Sequence, residues 1–259
     1  MFFQGRIFFQ SLLFLAILEV ATSDSIGNFL AGMLYGPAWW LVFLGIIIIA
    51  CYFYFFSRHM AASVKSHSTV AIFFMSSLGL LYFVNSNVEQ NILVFLLAVV
   101  FYFLEISLYR LHKYSKDETA LGIFAATSIA TVFLSYAFFL AAYLNFAIPL
   151  WLLMVVFLLV STSLSYQTFA FITNDKKKSI NYALVAGFAM AEIVWIISFW
   201  PFGYLTTAVI TLTFYYVFWD MMLSNFLERL SKKRIIAHLT IISLMVVMVL
   251  ATSHWLPVF

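Results

Sequence analysis

Long apolar runs separated by short polar breaks make up almost the whole chain. The runs cover residues 2–21, 38–56, 69–84, 91–109, 120–144, 147–171, 181–200, 202–222 and 235–255. Most approach or exceed the ~20 residues that an α-helix of 1.5 Å rise per residue needs to cross a bilayer. The breaks hold most of the charges, the asparagines and the prolines, which are residues that end helices. The pattern predicts an all-α, polytopic membrane protein with about nine transmembrane helices, a single membrane domain over 1–259.

The first run has two readings. Its apolar core, 7–18, follows Arg6 and precedes the small residues Ala21 and Ser23, as in a cleaved signal peptide. Taken from Phe2 to Ala21, it is also long enough for a retained helix, which is the reading favoured here; cleavage would leave eight spans. Ahead of the second run, Gly32 and Gly36 have the small-xxx-small spacing that lets helices approach closely, and Pro37 predicts a break. Runs three to eight form three hairpin units, 69–110, 120–171 and 181–223. The second helix of each carries a polar residue near one end: Glu105, Gln167 and Asp220.

Composition sharpens this picture. Hydrophobic residues make up 65% of the chain and charged ones only 9%, against ~25% charged in an ordinary soluble domain. Mean hydropathy is +1.07. So few charges cannot cover a water-facing surface, so lipid is the expected solvent. All 13 basic residues fall in alternate breaks: Arg6; Arg58 and Lys65; Arg110, Lys113 and Lys116; Lys176, Lys177 and Lys178; Arg229, Lys232, Lys233 and Arg234. Short loops rich in Lys and Arg stay cytoplasmic, so the amino terminus is predicted inside and the carboxyl terminus outside. The same loops, above all Lys176–Lys178 and Arg229 to Arg234, can meet anionic head groups. Their scattering gives no nucleic-acid footprint. Trp39, Trp40, Trp151, Trp200 and Trp255 fall near the predicted outer ends, where amphipathic rings prefer the interface.

Candidate chemistry is sparse. Glu192 lies near the middle of its apolar run, and a carboxylate there needs a partner, a proton or a water-filled cavity. It is the candidate proton or ion site. Glu105, Asp220 and Gln167 are secondary candidates, with Arg110 or Arg229 in reach of the two carboxylates by snorkelling. Thr127, Thr131 and Ser135 share one helix face, and Gly122, Ala126 and Ala130 a neighbouring one; both stripes read first as packing surfaces. Ser161, Ser165 and Gln167 make the sixth run polar. The lone Cys51 excludes an internal disulfide. The histidines do not share metal-ligand spacing, and no hydrolase, P-loop or dinucleotide motif is present. No cofactor or metal is called for, and the reading leans away from an enzyme.

The segment Phe199-Trp-Pro-Phe-Gly-Tyr-Leu205, followed by Tyr215-Tyr-Val-Phe-Trp219 and Ser231-Lys-Lys-Arg234, resembles uncharacterised multi-pass membrane proteins of uncultured bacteria. The resemblance covers the last quarter of the chain. It implies a bacterial inner membrane and no known activity. Two functions fit the residues. One is a non-catalytic membrane component that assembles with a protein partner, a second copy or lipids. The other is a small transporter or transport-coupled subunit that uses Glu192. The alternation of basic loops yields a direct prediction. Reporter fusions after Lys178 and Arg234 should report cytoplasm, and fusions at Asn87 and Phe259 the opposite side. A cytoplasmic signal from Phe259 would show that one span is miscounted.

Overall fold

The computed structural model describes residues 2–23, 39–60, 68–84, 86–114, 117–172, 175–200, 202–228 and 230–252. The described residues form nine helices and no strand: α1 (Phe2–Thr22), α2 (Trp39–Met60), α3 (Ser68–Leu81), α4 (Asn87–Lys113), α5 (Glu118–Phe146), α6 (Leu150–Ile172), α7 (Lys176–Ile197), α8 (Tyr204–Phe226) and α9 (Lys232–Thr252). Gly32, Gly36, Pro37, Lys65, Lys116, Pro201, Arg229 and Trp255 lie outside the described residues. Six helices (α1 and α4 to α8) are long and apolar enough to cross a membrane. At 14 residues, α3 rises only about 21 Å, short of the ~30 Å hydrocarbon core.

Several helices run past their apolar stretches because polar residues cap them. α7 begins at Lys176 because Asp175 accepts hydrogen bonds from the Lys177 and Lys178 backbone N–H groups at 3.0 and 3.1 Å. These satisfy two of the donors that a helix start leaves open. α5 begins beside Asp117, which accepts from the Ala120 N–H at 3.1 Å.

The chain divides into two compact units, residues 1–138 and 139–259, with the division inside α5. In the first unit, α1 packs along α4, and α2 and α3 pack on each other and on α4. The centre is aromatic. Phe14 lies 4.4 Å from Phe101, 5.9 Å from Phe53 and Phe73, and 6.0 Å from Phe74, by ring centroids. All five rings are fully buried. Packed aromatic pairs add about 0.5–1.5 kcal/mol each beyond their buried area. Against α5, Ser76 and Ser135 hydrogen-bond at 2.9 Å, and Gly79 leaves the space that the Phe138 ring fills. The Thr127, Thr131 and Ser135 stripe is indeed buried. The Gly122, Ala126 and Ala130 face is not: Gly122 and Ala126 are exposed. Around Gly122 a Cβ would meet nothing within 4 Å.

In the second unit, α6 and α7 pack most closely. Ala183, Gly187 and Ala191, spaced by four, are buried on one face of α7, and a Cβ on Gly187 would collide with Thr162 Oγ1 and sit 2.8 Å from the Leu158 carbonyl oxygen. Only hydrogen fits there. Ser165 of α6 and Tyr215 of α8 hydrogen-bond at 3.1 Å. At the end carrying the basic residues, Phe169, Tyr182 and Phe226 form an aromatic group, and Lys178 Nζ sits 4.6 Å over the Phe226 ring.

The outer surface is apolar to a degree that water would not tolerate. Phe8, Phe9, Phe55, Phe95, Trp151 and Phe188 are each more than half exposed. Large exposed patches of this kind mark contact with lipid or partners. The glycines supply a stability test. Gly187→Ala should destabilise the protein by about 1–3 kcal/mol, the range for overpacking. Gly122→Ala, with open space around it, should be neutral or stabilise by up to about 1 kcal/mol through helix propensity. Thermal unfolding in detergent compares them, and equal effects would contradict the close α6–α7 approach.

Candidate functional site

Three carboxylates of the apolar helices have three different surroundings. Asp220 is in α8, six residues before its end at Phe226, where it meets the start of α9. Arg234 and His238 are four residues apart on α9, so they share a face. Arg234 donates to Asp220 twice, Nε to Oδ2 and a terminal nitrogen to Oδ1, both at 2.9 Å. His238 Nε2 lies 2.6 Å from Oδ2. An ionised carboxylate only accepts, so Nε2 carries the hydrogen of that bond. The carboxylate and imidazole are about nine-tenths buried, while the guanidinium is half exposed. His238 Nδ1 is buried without a hydrogen-bond partner among the described residues, and the Tyr216 ring stands edge-on to the imidazole at 6.4 Å. The arrangement is a clamp between α8 and α9. A forked guanidinium–carboxylate pair holds the geometry, and the imidazole occupies a further lone pair.

Glu105 is in α4 and is 2% exposed. Its carboxyl is hydrogen-bonded by Ser57 of α2, while Oε1 has no partner among the described residues. Glu105 lies one turn beyond Phe101, and Ser57 one turn beyond Phe53, whose rings are 5.3 Å apart. Aromatic and polar contacts therefore occur on consecutive turns of the same two helices. The expectation that Arg110 reaches back to Glu105 is overturned. Arg110 turns away to Asp117, Nε to Oδ2 at 3.0 Å and a terminal nitrogen to the same oxygen at 2.7 Å. Asp117 lies outside the spans. The Ala120 N–H first, and then Arg110, hold its carboxyl below the ordinary value of 3.8. Its contribution is thus in place above that value and is lost only as acid takes the pH through the lower folded value.

Glu192 is exposed on α7 and makes no hydrogen bond to a described residue. Val185, Phe188, Trp195, Ile196 and Phe199 are exposed on the same helix and its continuation. The partner expected for Glu192 is not supplied by described residues of this chain. Gln167 is 1% exposed in α6, five residues before its end at Ile172. Lys176, Lys177, Lys232 and Lys233 are exposed, and Arg234, assigned to a loop by its charge, is the clamp residue.

Sequence reasoning missed His238, although Arg234-x-x-x-His238 presents two donors on one helix face after a helix that carries an aspartate near its end. Among the described residues, no group of three His, Cys, Asp or Glu side chains converges as a metal site, and Cys51 is exposed and free.

A family model described as a protein of unknown function, DUF5656, matches residues 37–252. That is most of the chain, which therefore belongs to this family. No curated protein matches, and no solved structure matches.

The clamp predicts a measurable coupling. Arg234→Ala should lower stability by about 1.5 kcal/mol, the low end of the range for hydrogen bonds to charged groups, because the guanidinium is half exposed. In a double-mutant cycle with Asp220→Asn, read by unfolding in detergent, the two losses should be less than additive. Strict additivity would mean that the pair is not formed.

Proposed function

We propose that this member of DUF5656 is a membrane-embedded component that works by assembling with a second membrane protein along α7. The observation that carries the reading is Glu192, exposed and unpaired within an apolar helix face. A charge at that depth costs at least ~2.5–3.5 kcal/mol on insertion scales, so such residues face a partner or a cavity. The partner's chemistry follows from this chain's composition. All 13 basic residues lie in the polar breaks or at the helix ends beside them, so a second copy brings no cation to the depth of Glu192. A helix of another protein, with Lys or Arg at mid-span, would satisfy the carboxylate while its apolar residues cover Val185, Phe188 and Ile196.

The reading includes nine spans, an amino terminus in the cytoplasm of a bacterial inner membrane and a carboxyl terminus outside. The single-sided distribution of basic residues supports it. The exposed lysines of the α7 and α9 starts would then lie among head groups, where each adds about 1 kcal/mol to anionic-lipid contact. Transport through Glu192 is the other reading of the sequence.

The test is association in liposomes between the labelled full chain and synthetic poly-leucine helices with one central Lys, Glu or Leu. Energy transfer should show association with the Lys helix alone. Glu192→Leu should weaken it about tenfold, matching the ~1–2 kcal/mol of a polar contact between membrane helices. Equal association of wild type and Glu192→Leu would defeat the proposal, and so would self-association that depends on Glu192.

A further inference from the structure

The Glu105 carboxyl is a second site, independent of the α7 face. It is 2% exposed, one oxygen has no partner among the described residues, and Ser57 hydrogen-bonds the other. A buried polar atom left unsatisfied costs roughly 1–3 kcal/mol, and a charged one more, so the missing partner has to be small enough to enter a packed interior. The surrounding cations do not supply it. The elements packed against α4 carry Arg6 on α1 and Arg58 and His59 on α2, all exposed, and none on α3. On α4 itself, His112 and Lys113 are exposed, and Arg110 is engaged with Asp117. The acidic and phenolic groups on these helices (Glu19, Glu89, Tyr52, Tyr54, Tyr102 and Tyr109) are likewise exposed or half-buried, so Glu105 is alone among them in being enclosed.

A second oxygen in the same unit has the same need. Gln10 of α1 is 4% exposed; its Nε2 donates to Tyr52 Oη at 2.8 Å, and its Oε1 has no donor. The unit's interior thus holds two unsatisfied acceptors and no matching donor on the described side chains beside them. The smallest species that converts a carboxylate from acceptor to donor is a proton.

We propose that Glu105 is a proton-binding site between α2 and α4. In the bound state the carboxyl is a neutral acid that keeps its bond to Ser57 and offers one O–H. In the released state the carboxylate keeps Ser57 as donor and needs water at Oε1. Binding and release move one proton and break no other bond. Because the site joins α2 to α4 one turn from the Phe53–Phe101 contact, its occupancy is tied to how tightly those helices close.

The experiment is infrared spectroscopy of the full chain in lipid nanodiscs across a pH titration, with thermal unfolding measured on the same samples. Wild type should show a protonated-carboxyl band that is absent from Glu105→Gln, shifts in Ser57→Ala and bleaches as pH rises. The site stabilises the fold when the proton is bound. Stability relative to Glu105→Gln should therefore be greatest at low pH and fall as pH rises through the bleaching range, whatever other groups titrate in both proteins. Gln10→Leu should leave the band in place. Two results would overturn the proposal: a carboxylate band at every pH, showing a fixed compensating charge, or an acid band that persists unchanged until the protein unfolds, showing a permanent structural donor. Glu105→Gln should retain the wild-type response to the Lys-bearing helix, so failure here is separable from failure of the α7 proposal.

Discussion

Carboxylates in a solvent that cannot hydrate them are the constraint to which much of this structure answers. Water would satisfy Asp220, Glu105 and Glu192 at little cost. Hydrocarbon satisfies none of them, so each must be neutralised, bonded or covered by protein. Asp220 is solved locally, by Arg234 and His238 reaching from the next helix. Its place near the helix end makes that possible, because the Arg stem can lie along apolar surface while part of its head stays wet. Glu105 has no such device. Arg110, the nearest arginine along its helix, is drawn outward by Asp117, and Ser57 offers one hydrogen bond without a charge. Glu192 is served by no described residue of the chain, and the proposed partner along α7 rests on that difference.

The second constraint is distance between helices. Apolar side chains gain nothing by leaving lipid for a protein interior of equal polarity, so association rests on close packing. The two units achieve it differently. In the first, large rings interlock, with Phe14 touching aromatic side chains of three other helices. In the second, side chains are removed: Gly187 lets the α7 backbone approach Leu158 and Thr162 of α6. Phenylalanine clusters tolerate adjustment of individual rings, whereas a backbone-to-backbone contact does not. The α6–α7 pair is for that reason the less forgiving of substitution.

Much of the helix map was legible in the sequence, because the apolar run and the helix have the same physical cause. The run at 202–222 became Tyr204–Phe226 and the run at 120–144 became Glu118–Phe146. The ends moved where capping chemistry overrides hydropathy. Asp175 starts α7 five residues before its apolar stretch, and α4 continues through Arg110 to Lys113. Faces were not legible, because an apolar helix in lipid has no polar side to mark its orientation. Gly122, Ala126 and Ala130 have the spacing of a packing surface, yet Gly122 and Ala126 are exposed and Ala130 only half-buried, while Ala183, Gly187 and Ala191 have the same spacing and are buried. Nothing in either string distinguishes them. The difference lies in the facing helix, which one sequence does not reveal.

The same ambiguity affected the candidate sites. Glu192 drew attention because it is central in its run, and depth along a helix can be counted. Burial cannot be counted, and it is Glu105, nearer the end of its helix, that is enclosed by protein. Arg234 shows the converse: a basic residue at a span boundary already has an explanation in topology, and that explanation hid its second role as the counter-charge of Asp220. A charge can serve both purposes at once. The end of the bundle that retains positive residues is also where a carboxylate can be neutralised without carrying an arginine into the membrane centre. The chain places Asp220 at that end and clamps it from within. Glu192 lies outside that reach and no described residue neutralises it; in the proposed assembly the counter-charge comes from a neighbouring helix.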